Sequence, residues 1–384
     1  MASLEQNAGQ VELKRGLRGV YLDQTQSSNV LGEVGRLIYR GYDIQDLAKN
    51  STFEETSFLL LHGHLPTQRE LDEFDAQLKA ARTLPEAIVN VIGIVKDAHP
   101  MDVLRTAVSA LAAFDEDVND NSMEATLRRG IYLTAQLPTI VACHARMVDG
   151  LIPVQPNGRL GHAANFLYML FDREPVSEDA RLMDVDFLLH ADHSSNASAF
   201  AARVCASTLA DLYAAITTGI ATLKGPLHGG AAEEVTKMTD DIGDESNAEQ
   251  YVKNILDKGG RVMGFGHAVY KAYDPRATLL RDGTRALGER MGQPKWFRIL
   301  SLVEKVMQPL AARGISTNVD FWSGAIYKLL GIPKSLYVPI FAVGRMPGWV
   351  AQIMEQYANN MLIRPLLQYV GPDGLEYIPI EDRR

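Results

Sequence analysis

Apolar residues recur at helical spacing through most of this chain. After Thr67-Gln68-Arg69-Glu70, the residues Leu71, Phe74, Leu78 and Ala81 fall at i, i+3, i+7 and i+10, one face of a helix that stops near Pro85. The tetrapeptide itself reads as a capping box, in which a hydroxyl and a later carboxylate satisfy orphan amides of the first turn; Ser51-Thr52-Phe53-Glu54 reads the same way. Comparable spacing predicts helices over roughly 86–97, 101–114, 123–147, 161–171, 178–190, 197–223, 248–258, 276–291, 295–313, 320–330 and 348–361. Strand-like alternation is confined to the ends, at Gly19-Val20-Tyr21-Leu22-Asp23, Arg36-Leu37-Ile38-Tyr39-Arg40 and a tail around Tyr377-Ile378. The expected fold is therefore mainly α with one or two short hairpins. Neither a repeat of solenoid period nor a low-complexity tract is visible.

With 384 residues, 46% of them hydrophobic and 22% charged, the chain has the size and composition of a globular protein with one large domain and a smaller one. Its net charge of −9 argues against a general binder of nucleic-acid backbones, which needs clustered Lys and Arg, but leaves room for a local cationic pocket. The longest apolar segment, Ala197 to Leu223, is interrupted by Arg203 and Asp211, so a membrane span is not expected. Met1 to Gln6 lacks the charged and apolar regions of a secretory signal. Two cysteines, Cys143 and Cys205, in apolar helical sequence read as reduced thiols. A soluble cytoplasmic protein is the expectation.

Glycine-rich punctuation at Lys224 to Gly230 and at Leu330-Gly331-Ile332-Pro333 frames a possible second domain, each beside a candidate catalytic residue, which suggests a cleft that closes over substrate. In Gly225-Pro226-Leu227-His228-Gly229-Gly230 the glycines let backbone and ligand approach closely around an imidazole; a turn histidine without a task is the plainer alternative. Gly264-Phe265-Gly266-His267 resembles half of a dinucleotide fingerprint but lacks the third glycine and a preceding apolar strand. Asp320, followed by Phe321 and Trp322, is either a poorly solvated carboxylate of raised proton affinity or a helix N-cap. Arg276, Arg345 and Arg364 stand in rigid or apolar settings, and are either surface charges or a dicarboxylate clamp. His190-Ala191-Asp192-His193 offers an i, i+3 histidine pair. It suits an anion or core packing better than a metal, because no second cluster has ligand spacing.

These motifs, in order and over nearly the whole chain, resemble the citrate synthase family. The resemblance is carried by Gly35-Arg36-Leu37-Ile38-Tyr39-Arg40-Gly41-Tyr42-Asp43-Ile44, by His99-Pro100-Met101-Asp102-Val103-Leu104-Arg105, and by His190 to Asn196. It continues through both glycine-flanked histidines, Asn318 to Trp322 and Ile363-Arg364-Pro365. It implies a two-domain helical fold with a large domain at 1–229, a small domain at 230–331 and a return to the large domain at 332–384, working as a homodimer. It also implies an acyltransferase that turns the acyl group into an alkyl group, joining acetyl-CoA to oxaloacetate with water to give citrate and CoA, without metal or cofactor.

By the same resemblance Asp320 removes a methyl proton, His228 hydrogen-bonds the thioester oxygen, and His267 polarises the oxaloacetate carbonyl and protonates the alkoxide. His193, Arg276 and Arg345 look like oxaloacetate ligands, joined by Arg364 of the partner subunit. Val262, Met263, Gly264, Phe265, Gly266 and Lys271 lie where the family binds CoA.

The sequence departs from the family pattern at Ala232, where Asn is common, at Leu366 and Leu367 after Arg364-Pro365, and at Gly344, where Ala is more usual. None of these removes a proposed catalytic group. The nearest alternative is a 2-methylcitrate synthase using propionyl-CoA. Two from other classes are a metal-dependent hydrolase built on His190, Asp192 and His193, and a non-catalytic helical scaffold.

Overall fold

Helical periodicity becomes sixteen α-helices among the described residues, 12–17, 19–267 and 269–384 of a computed structural model. The N-terminal residues inspected for a secretory signal lie outside them. The helices are α1 (Ile44–Asn50), α2 (Phe53–His62), α3 (Gln68–Ala81), α4 (Glu86–Ile94), α5 (Pro100–Leu111), α6 (Met123–Val148), α7 (His162–Phe171) and α8 (Ser177–His190). They continue with α9 (Ala197–Ser207), α10 (Leu212–Leu223), α11 (Ala231–Ile242), α12 (Ala248–Asp257), α13 (Pro275–Arg290), α14 (Lys295–Met307), α15 (Asp320–Leu329) and α16 (Tyr337–Ala358). One antiparallel sheet accompanies them, β1 (Ser28–Leu31), β2 (Arg36–Tyr39) and β3 (Tyr42–Asp43), with Ser28 opposite Tyr39 and Ile38 opposite Asp43.

Local chemistry explains most boundaries. The Thr67–Glu70 capping box forms with both reciprocal bonds. The one expected at Ser51 does not: Thr52 caps α2 instead, and Glu54 turns away to accept the amide of His162 at 2.6 Å. The single helix expected over 197–223 is two, because Leu209 turns left-handed (φ 62°) and the Asp211 carboxylate caps a new start at Leu212. The helix expected from 348 begins at Tyr337 and carries Pro347 inside; almost every side of α16 is buried, so neighbouring helices hold it despite the lost amide. Helices α1 and α11 were not among those expected. The strands expected at 19–23 and around 377–378 are irregular, and β1 supplies the pairing for β2 instead.

Contacts divide the chain into two units. Residues 25–361 hold every strand and helix named above. Residues 1–24 with 362–384 form the other, whose described part has only short 3-10 turns and exposes Leu366, Leu367, Val370 and Tyr377.

Within residues 25–361, α16 runs through the centre against α2, α6, α8, α9 and α10, and α11 to α15 pack on one another. Two helix crossings on α16 are close. A Cβ at Gly348 would stand 2.1 Å from the Ala191 carbonyl oxygen, and one at Gly344 would stand 3.0 Å from that of Phe187. Glycine at 344 thus lets α16 sit close on the end of α8.

Candidate active site

His228 is delivered by the turn that follows α10. Its amide bonds the Gly225 carbonyl at 2.9 Å, and the Gly229 amide bonds that of Leu223 at 3.1 Å. A Cβ on Gly229 would fall 2.6 Å from the Leu223 oxygen and 2.8 Å from Val338, so only glycine lets the turn press against these neighbours. The imidazole Nε2 accepts the Ser198 amide at 3.2 Å and lies 2.8 Å from the Ser198 hydroxyl. Ser198 is itself held by Asn196, the cap of α9, at 2.8 Å and by the Trp349 indole at 3.1 Å. Because Nε2 is an acceptor, the neutral ring carries its proton on Nδ1. Burial, and then the Arg345 charge, lower its pKa to about 4. The brace comes from α9 rather than from position 232, where the sequence departs from the family.

The loop holding His267 is zipped to the segment before α15. Gly266 donates its amide to Ser316 at 2.8 Å, Asn318 donates its amide to Gly264 at 2.9 Å, and the Asn318 side chain donates to Gly266 at 3.1 Å. Gly264 and Gly266 both adopt left-handed φ, 78° and 81°, and a Cβ on Gly264 would lie 2.7 Å from Phe321 and Val235. These glycines serve a tight turn against α15. The His267 Nδ1 accepts the amides of Val269 (3.0 Å) and Tyr270 (3.1 Å), so its proton sits on Nε2. Burial, and then Arg276, lower its pKa to about 4. Its ring stands 5.0 Å from that of His193 and 4.8 Å from that of Tyr270.

Asp320 is the first residue of α15, and the N-cap is Val319, so its carboxylate is not spent on capping. Burial pushes its pKa up to about 6, Asp274 adding to the rise while Arg276 and Arg345 oppose it. Asp274 does the capping here: it accepts the Arg276 amide at the start of α13 and the Val319 amide at the start of α15, and binds the Arg276 guanidinium at 3.0 and 2.7 Å. The Arg345 guanidinium lies 4.7 Å from the Phe341 ring and donates Nε to the His190 carbonyl, leaving Nη1 buried without a partner. His193 is buried with Nε2 unpartnered, and burial followed by Arg276, His267 and Arg345 holds its pKa well below the usual value. Unpartnered buried donors are costly in an isolated chain and natural in a binding site.

Asp320, His193, His228 and His267 each feel Arg276 or Arg345, or both. Others of the expected residues are not in that set. Lys271 is exposed and paired with Glu33 on the β1–β2 turn, and Arg364 is exposed in the other unit. His190 does not pair with His193: its Nδ1 bonds the Asp186 carbonyl at 2.7 Å, and Asp192 is engaged by Ser27 and Ser28. Among the described residues no three His, Cys, Asp or Glu side chains group as metal ligands. Sequence reasoning missed Ser198 and Phe341, which sit in ordinary helical sequence. It gave Asp274 no role, although an Asp-Pro pair opening a helix marks a cap.

The fold and site define a helical protein that gathers three neutral imidazoles, a carboxylic acid of raised proton affinity and two buried arginines, a set fit for proton transfer on a small anion. The family model described as citrate synthase, C-terminal domain, matches residues 16–366. A citrate synthase of Haloferax volcanii is 45% identical over 97% of this chain and 99% of that protein. A 2-methylcitrate synthase of Corynebacterium glutamicum is 41% identical over 98% of this chain and all of that protein. The solved citrate synthase of Pyrobaculum aerophilum superposes with a TM-score of 0.92 at 44% identity, covering 97% of this chain and 95% of that one. The chain belongs to the citrate synthase family.

Replacing Arg345 with Gln removes a charged donor from the site and should weaken binding of a C4 dicarboxylate by about 1.5–3 kcal/mol. Lys271→Ala should leave that binding unchanged. Calorimetric titration of both variants checks this, and equal losses would remove Arg345 from the anion site.

Proposed function

We propose that the protein condenses acetyl-CoA with oxaloacetate and water, giving citrate and CoA. The carrying observation is the hydrogen bonding of three groups: backbone amides occupy Nε2 of His228 and Nδ1 of His267, which leaves Nδ1–H and Nε2–H as donors, while Asp320 opens α15 without capping it. A thioester methyl is a very weak acid, so removing its proton takes a base together with a donor on the carbonyl oxygen. Asp320 takes the proton and His228 Nδ1–H steadies the enolate oxygen. A positioned base contributes about 10²–10⁴ in rate, and a donor at the developing oxyanion about 3–4 kcal/mol. His267 Nε2–H polarises the oxaloacetate carbonyl, and gives up that proton when the new C–C bond turns the carbonyl into an alkoxide. Water then hydrolyses the thioester, releasing CoA.

Arg276, Arg345 and His193 hold the oxaloacetate carboxylates, with Arg364 of the partner subunit completing the set in a homodimer. The exposed apolar side chains of the 362–384 tail support a second copy as their cover. Val262 to Gly266 and Lys271 receive CoA. Residues 230–331 act as a small domain that closes to keep water from the enolate, a reading supported by the mutual packing of α11 to α15. Unpaired thiols at Cys143 and Cys205 suit a cytoplasmic enzyme, and no helix among the described residues is long and apolar enough to cross a membrane.

A thiol-release assay with oxaloacetate should run faster with acetyl-CoA than with propionyl-CoA. One methylene changes preference by only about 1–3 kcal/mol, so some propionyl-CoA turnover is expected, and a higher kcat/KM for it would move the protein to the 2-methylcitrate branch. Asp320→Asn should cut kcat by at least about 10²-fold with oxaloacetate affinity near wild type; parallel loss of that affinity would give Asp320 a structural role instead. The acid limb belongs to Asp320, which is protonated and inactive as a base below pH about 6, whereas the two imidazoles stay neutral down to about 4. Activity should therefore fall as pH drops through 6, and a limb set near pH 4 would contradict the assignment.

A further inference from the structure

One fully buried carboxylate has no part in the mechanism above. Asp186 lies on α8 with no solvent exposure, and both of its oxygens are engaged from α15: Ser323 donates to Oδ1 at 2.9 Å and Tyr327 to Oδ2 at 2.5 Å. Ser323 and Tyr327 stand at i+3 and i+7 from Asp320, so all three share one helical face. Burying a carboxylate is costly unless its lone pairs are satisfied, and here the satisfying donors all come from the helix that begins with the base. The same turn of α8 also reaches the anion site, since the carbonyl of His190 accepts Arg345 and that of Asp186 accepts the His190 ring.

We propose that Asp186 is a positioning residue for the reaction: by clamping Ser323 and Tyr327 it fixes the axial height and rotation of α15, and with them the place of the Asp320 carboxylate relative to Arg345. The proposal rests on the assignment of Asp320 as base. A hydrophobic pair would hold two helices together as well, but would tolerate sliding. One carboxylate accepting from two side chains one turn apart sets the register.

The titratable groups facing Asp186 are His190 on its own helix, whose Nδ1 stands 3.6 Å from Oδ1, and Tyr327 and Asp320 on α15. Burial pushes the Asp186 pKa up to about 7, the Tyr327 and Ser323 bonds pull it down, and the Asp320 charge adds to the rise.

The test compares wild type, Asp186→Asn and Tyr327→Phe in the thiol-release assay with acetyl-CoA, alongside calorimetric oxaloacetate binding. Misplacing a reacting group by about an ångström costs on the order of 10²-fold, so Asp186→Asn should lose about 10- to 100-fold in kcat. Oxaloacetate affinity should stay near wild type, and the acid limb should stay with Asp320, near pH 6. Tyr327→Phe, which removes one bond and keeps the ring, should show a smaller loss confined to kcat; it also serves if Asp186→Asn does not fold. Wild-type kcat in Tyr327→Phe would overturn the proposal. So would a fall in oxaloacetate affinity that matches the fall in kcat, because the role would then be general packing. If wild type itself releases no CoA with oxaloacetate, the functional reading fails and the proposal with it; if wild type turns over and the variants match it, only the proposal fails.

Discussion

The arrangement of this site depends on one buried carboxylate, Asp274, with four claims on it. It accepts the amide that opens α13 and the amide of Val319 at the start of α15, and it takes two bonds from the guanidinium of Arg276. A buried ion pair alone is weak evidence for stability, since desolvation offsets much of the attraction. Here the pair also satisfies two helix N-termini, whose partial positive charge favours a carboxylate. Asp320 and Arg276 are thus placed by the same group. Loss of Asp274 would leave a buried guanidinium unpaired and two helix ends uncapped together.

The electrostatics follow from that anchoring. Arg276 and Arg345 are both buried, and their fields fall on imidazoles that burial already keeps unprotonated. The two arginines favour ionisation of a nearby carboxylate, yet burial dominates and Asp320 ends with raised proton affinity. The result is a set of acids and bases whose charges at neutral pH suit enolisation: neutral donors, an ionised base and fixed cations for an anionic partner.

Close helix contacts give the site its rigidity. Gly344 and Gly348 bring α16 within backbone distance of the end of α8, and Gly229 presses the His228 turn against Leu223 and Val338. The hydroxyl of Ser198 then links α9, α16 and the His228 ring through Asn196 and Trp349. The His228 ring is thereby fixed from an element other than its own, so that its orientation survives where its own backbone is a turn.

Much of this was legible in the residues. Helical content, the Thr67 cap, the glycine-bracketed histidines and the arginines in rigid contexts all follow from short-range chemistry, because caps, turns and apolar periodicity act over a few residues. The misreadings have the same origin. A cap at Asp211 was hidden inside an apolar run, the helix expected from 348 begins at Tyr337 because surrounding helices carry Pro347 within it, and the first strand is Ser28–Leu31 rather than the expected 19–23. Ser198, Phe341 and Asp186 carried no local signal, since a serine, a phenylalanine or an aspartate within a helix is unremarked until its neighbours are known. The sequence by itself determined which chemical groups the chain possesses and which segments are helical. Only the tertiary structure decided their protonation states, their tautomers and which of them meet, because desolvation and hydrogen bonding are set by partners far away along the chain.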